Sequence, residues 1–164
     1  KPCHSQWTRF TLDPSSEEGH LSEPEVLHVG KSEFYRIDDR FREENIATAT
    51  LILWTSAWER NLQLLARLWA VYILLKLAGY HDESTGNTEV YLPGRTHLVQ
   101  GPVFIPGVGS TEEGDGYLMA LVNNYCTLSS EMHLLDCHDF TKARAIIMLP
   151  LRLRAGLHGN WVNN

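Results

Sequence analysis

Apolar and polar side chains alternate over residues 6–12, Gln-Trp-Thr-Arg-Phe-Thr-Leu. A period of two predicts a strand, with Trp7, Arg9 and Thr11 on one face and Thr8, Phe10 and Leu12 on the other. The turn-rich run Asp13-Pro-Ser-Ser-Glu-Glu-Gly19 ends it. A second short strand is predicted over 24–29, followed by an extended or irregular stretch through 32–41. Beyond Gly79, the segment Tyr80 to Tyr91 reads as a hairpin around the turn cluster His81-Asp-Glu-Ser-Thr-Gly-Asn87. Residues 117–123 and 132–136 read as a second hairpin, 143–149 as a further strand, and 152–161 as a closing one. Short strands separated by turns point to a sandwich, barrel or propeller.

One stretch breaks that rhythm. Over 46–78, Leu51, Trp54, Trp58, Leu62, Leu65, Trp69, Tyr72, Ile73 and Lys76 recur at steps of three and four. That spacing predicts an amphipathic or largely buried helix. A membrane span requires about 20 apolar residues in a row. Glu59, Arg60 and Arg67 interrupt this one, so packing against a core or partner is the expectation. The chain therefore divides into 1–45, an atypical helical segment 46–78, and 79–164.

The 164 residues are 43% hydrophobic, enough to bury a core as one domain. A net charge of −6 with scattered Lys and Arg argues against a nucleic-acid surface. Arg152 and Arg154 read as a solvent-facing edge. Cys3, Cys126 and Cys137 are odd in number and lack CxxC spacing, which predicts free thiols in a reducing, cytoplasmic setting. The chain opens on Lys1-Pro2 without a signal-like apolar run, as expected of a piece of a longer protein.

Candidate chemistry concentrates at the far end. His158 sits in Gly156-Leu-His-Gly159, and neutral imidazole is a ligand for iron, zinc, copper and nickel. Flanking glycines let backbone approach whatever the ring touches. The other histidines offer no replacement set. His133 and His138 fall on opposite faces of an alternating strand, and His4, His20, His28, His81 and His97 sit in polar or turn contexts. A zinc hydrolase is disfavoured, because neither HExxH nor a Cys-rich ligand pattern is present.

Three segments in order carry a resemblance: Ser32-Glu-Phe-Tyr-Arg-Ile-Asp-Asp-Arg-Phe41; Gly101-Pro-Val-Phe-Ile-Pro106 with the acidic and apolar run to Asp136; and Leu157-His-Gly-Asn-Trp-Val162. Together they resemble the C-terminal third of the carotenoid cleavage oxygenases, nearest the fungal and bacterial stilbene-cleaving branch. The resemblance implies a mainly β fold: about three blades of a seven-bladed β-propeller. It implies Fe(II) held by four histidines, with dioxygen and an apolar alkene (carotenoid, apocarotenoid or stilbene) as reactants. His158 matches the last iron ligand, and Glu33 matches one of three glutamates that orient iron-bound imidazoles. No residue of this chain matches a further catalytic role. Contact with a membrane is compatible with an apolar substrate.

The chain departs from the family pattern in three places. Tyr35 stands where the family has proline. Gly101 stands where it has another orienting glutamate, and that role does not pass to Gln100, because a one-residue slip reverses a side chain's face. The 46–78 stretch replaces blade strands. The family's other three iron histidines lie upstream of the residues matched here. Two readings follow: the C-terminal part of an iron(II) alkene-cleaving dioxygenase, or a catalytically inactive remnant or interaction module of that family.

Overall fold

The computed structural model describes residues 5–11, 15, 21–30, 32–41, 48–55, 75–82, 85–156 and 159–162. Its elements are all strands: β1 (Ser5–Arg9), β2 (Glu25–Gly30), β3 (Ser32–Arg36), β4 (Thr48–Thr55), β5 (Leu75–Asp82), β6 (Asn87–Tyr91), β7 (His97–Val99), β8 (Val103–Pro106), β9 (Gly116–Asn124), β10 (Ser129–Asp136) and β11 (Asp139–Met148). The mainly β expectation is met.

These strands form three antiparallel sheets. β1 and β2 make a ribbon; β3-β4-β5-β6 is a four-stranded meander; β11-β10-β9-β7 is the largest, with β8 also pairing β9. The predicted hairpins over 80–91 and 117–136 are β5–β6 and β9–β10. Gly86 turns the first with φ of 68°, a left-handed conformation that glycine adopts without steric cost.

The helix expected over 46–78 is corrected at both ends. Residues 48–55 are β4, and residues 75–78 begin β5, which pairs with β4 from Thr48↔Asp82 to Thr55↔Leu75. Residues 56–74 lie outside the described residues. In Thr-Ala-Thr-Leu-Ile-Leu-Trp-Thr, β-branched and aromatic residues favour a pleated strand. The apolar i, i+3 spacing matched a buried strand and a helix equally, and pairing with β3 and β5 decided between them. Among the described residues no helix is long and apolar enough to cross a membrane.

The core lies between the two larger sheets, where β5 meets β7 and β6 meets β11. Ala78 and Tyr91 on one side pack with Val99, Leu118, Ala120, Val122, Leu135 and Phe140 on the other. β9 explains how: alternate positions Leu118, Ala120 and Val122 are buried, as a half-buried strand's period requires. The Tyr80 and Phe140 rings lie 5.8 Å apart across the gap. Cys137 joins this core as a free thiol, and burial pushes its pKa up to about 12, so it is inert as a nucleophile.

A buried polar chain also crosses between these sheets. The Tyr91 hydroxyl on β6 meets His133 Nδ1 on β10 at 2.8 Å, and His133 Nε2 meets the Glu131 carboxylate at 2.8 Å. Glu131 accepts a second bond from Asn124 Nδ2 at 3.2 Å, and His97 Nε2 stands 3.8 Å away. With Glu131 ionised, Nε2 carries the donated proton and Nδ1 accepts from the tyrosine. Burial raises the Glu131 pKa, but hydrogen bonds from His133 and Asn124, together with attraction to His133 and His97 whenever those rings are protonated, outweigh it, so the net shift is downward. Along Tyr91, His133, Glu131 and Asn124 each side chain has a partner, which a buried network requires to avoid a desolvation penalty, whereas His97 Nδ1 is buried without one.

Candidate active-site frame

The three motifs of the sequence meet around the chain's last described residues. Glu33 lies on β3, its backbone opposite Ile52 of β4; its side chain is outside the described residues. Three positions along, Arg36 donates from Nη2 to the Gly159 carbonyl oxygen at 3.1 Å. On the other flank, the Gly156 amide N–H donates to Gln100 Oε1. Gly159 also sits against Val103: a Cβ added there would come within 3.3 Å of Cγ2. So β3, the β7–β8 edge and the tail converge. His158 itself, with Leu157, lies outside the described residues, between the two anchored glycines.

The β7–β8 edge owes its shape to a bulge. Val99 faces Val122 and Val103 faces Met119, four steps along one strand against three along β9. One extra residue therefore sits among Gln100, Gly101 and Pro102. Bulges of this kind re-aim side chains. Pro102 has no N–H for the ladder, and Gln100 N bonds instead to the Leu121 carbonyl at 2.9 Å. As a result Val99 and Gln100, consecutive residues, are both buried, at 0% and 5% exposure. Simple alternation had kept Gln100 away from this segment; the bulge brings its side chain to Gly156.

The predicted closing strand over 152–161 does not form: the described residues of that stretch belong to no strand. Its backbone donors go to side chains instead. Leu153 N donates to Ser130 Oγ at 2.8 Å, and Gly156 N to Gln100. Arg152 and Arg154 are exposed, as expected, and the Arg152 guanidinium stacks 5.3 Å from the Tyr125 ring centre.

A cleft of about 380 Å³ opens where the motifs meet, lined by Arg36, Ile37, Val103, Phe104, Asn160 and Trp161 among others. Its rim is held by Arg40. That guanidinium clamps the buried Asp38 carboxylate at 2.6 Å and donates to the Ser110 and Glu112 carbonyls at 2.7 and 3.2 Å. Bidentate pairing of this kind fixes geometry as well as charge. It ties the Ile-Asp-Asp-Arg run to the 107–115 loop and so sets one wall of the cleft.

The other described histidines stand apart from these residues. His81 is buried and meets Thr88 Oγ1 at 2.8 Å; His28 stacks edge-on to it at 5.2 Å. Burial, with the nearby His81, lowers the His28 pKa. His138 is exposed and pairs with Asp115 at 3.0 Å. Among the described residues no three His, Cys, Asp or Glu side chains come together to hold a metal ion. A complete iron site is thus not assembled from the described residues. The Tyr91–His133–Glu131 chain went unread in the sequence. Its signal was there: Glu131 and His133 are two apart on a strand, on the same face as the apolar Leu135.

Comparison with known proteins decides the ancestry. The family model described as retinal pigment epithelial membrane protein matches residues 1–163. The chain belongs to this family, that of the carotenoid oxygenases. Resveratrol cleavage oxygenase 1 of Aspergillus fumigatus is 52% identical over 161 residues, which is 98% of this chain and 32% of that protein. Lignostilbene-alpha,beta-dioxygenase isozyme III of Sphingomonas paucimobilis is 32% identical, covering 94% of this chain and 31% of its own length. The crystal structure of Pseudomonas brassicacearum lignostilbene dioxygenase superposes with a TM-score of 0.78 at 31% identity, over 96% of this chain and 32% of that one. The carotenoid oxygenase chain thus spans about a third of the length of the curated relatives it matches.

Proposed function

We propose that the chain is the C-terminal part of a non-haem iron(II) dioxygenase that cleaves a carbon–carbon double bond of an apolar alkene with dioxygen. Similarity to relatives named for resveratrol and lignostilbene favours a stilbene over a carotenoid. The observation that carries the reading is the convergence of the Glu33 strand, the 100–106 edge and the tail that bears His158. In this reading the four- and five-stranded sheets are propeller blades, and His158 is one iron ligand among others contributed from upstream. Glu33 orients an iron-bound imidazole by accepting its second N–H, as carboxylates commonly do at metal sites. Bound iron supplies the one-electron chemistry that makes dioxygen reactive toward the alkene. The chain's own residues hold the ligand-bearing backbone: Gln100 and Arg36 fix it on either side, and Phe104 and Trp161 give the neighbouring cleft apolar surface.

One observation favours a second reading for the 164-residue piece alone. Gly101 carries no carboxylate where the family has one, and losing such a partner costs about 10–100-fold in metal affinity or activity. With one matched ligand, the isolated piece is an inactive module. The test compares this chain with the longest product of its gene, each given Fe(II), dioxygen and a hydroxystilbene. Two aldehyde products from the longer protein, lost in His158→Ala, support the proposal. Cleavage that persists in His158→Ala removes it, and turnover by the 164-residue chain removes the inactive-module reading.

A further inference from the structure

We propose that Gln100 is a positioning residue for the tail: its carboxamide sets the backbone that carries His158 and holds a donor ready for an oxygen acceptor that completes the site. This rests on the proposed role of His158. The side chain is 5% exposed, and its oxygen is committed to the Gly156 amide. That bond fixes which way the carboxamide faces, since the reversed orientation sets two donors against each other. The nitrogen, Nε2, is therefore placed, and it is buried with no hydrogen-bond partner. A buried donor left unpaired carries a desolvation penalty. Its natural use is an acceptor oxygen supplied when the site fills, from water or from a bound reactant.

The bulge at residues 100–102 makes this arrangement specific. It turns Gln100 inward beside buried Val99 while Gly101 has no side chain to compete for the space. Gly156 is matched to it: a Cβ there would come within 3.3 Å of Gln100 Oε1, tighter than ordinary contact. Two residues separate Gly156 from Gly159, whose carbonyl is held by Arg36, so the Gln100 bond is one of two anchors flanking the position of His158 in the sequence.

Two substitutions separate the functions of the two ends of the carboxamide. Gln100→Glu keeps an acceptor for Gly156 and removes the donor; Gln100→Leu removes both. In the 164-residue chain, hydrogen exchange at the Gly156 amide is expected to quicken about tenfold in Gln100→Leu and to stay within twofold of wild type in Gln100→Glu, a net hydrogen bond being worth roughly one factor of ten. Unchanged exchange in Gln100→Leu overturns the proposal. In the longest product of the gene, Gln100→Glu is expected to lower kcat about tenfold with KM within twofold, the size typical of lost outer-shell partners. An unchanged kcat there removes the donor's role. Should Gln100→Leu fail to fold, Gln100→Met repeats the exchange measurement with the same expectation. Activity retained in His158→Ala sinks the function of the site while leaving the exchange result standing, so the two failures are told apart.

Discussion

The β9–β11 hairpins and the tail that follows them are held by different forces. Leu118, Val122, Leu135 and Phe140 are wholly buried, and backbone ladders join β9 to β10 without a break and β10 to β11 with register shifts near Leu135. Residues 150–156 are exposed and pair with no strand. They are fastened at isolated points: Ser130 Oγ to Leu153 N, Gln100 Oε1 to Gly156 N, and Arg36 to the Gly159 carbonyl. The sheets supply stability through area; the described part of the tail takes its position from single side-chain contacts, those of Ser130, Gln100 and Arg36 among them. A segment placed this way is set precisely by a few groups and is loosened by losing any one of them.

Substitutions should expose that contrast, the largest effect coming from the sheet. Phe140→Ala is expected to cost about 3–5 kcal/mol in chemical denaturation, as for other buried aromatics. It should destabilise sheet and tail together; loss confined to the tail would contradict the division. Ser130→Ala is smaller, about 1–3 kcal/mol, because it leaves buried Asn123 Oδ1 and Leu153 N short of a partner. Amide exchange should rise at Leu153 before it rises in β9. Acid should act on the sheet rather than the tail. The folded Glu131 carboxyl titrates below its unfolded value near 4.5, so its stabilisation is complete above that pH and fades as pH falls through the folded value. Glu131→Gln should flatten that part of a stability-against-pH curve; an identical slope would remove the carboxylate from the account. Smallest is Arg36→Ala, about 0.5–1.5 kcal/mol, read best as faster exchange around residues 159–162 with the core unaffected.

The same contrast explains what the sequence disclosed. β9 and β10 were legible because alternation at Leu118, Ala120 and Val122 reports a half-buried face directly. β4 was not, because Leu51, Trp54 and their neighbours form a short apolar run whose spacing suits either element, and only its pairing with β3 and β5 settles it. The motif around Glu33 and the tail glycines marked the site by residue type. Gln100 escaped, because its inward turn depends on a one-residue bulge against β9, a property of register between strands distant in sequence. The tail's missing strand has the same origin: its donors are claimed by Ser130 and Gln100, which no local pattern reveals.

Iron content tests the central claim most directly. The longest product of the gene, purified with Fe(II) under nitrogen, should hold close to one iron per chain, and His158→Ala should lower that occupancy at least tenfold with the fold intact by circular dichroism. Full iron occupancy in His158→Ala, or none in the unaltered protein, would contradict the assignment of this tail to a metal centre.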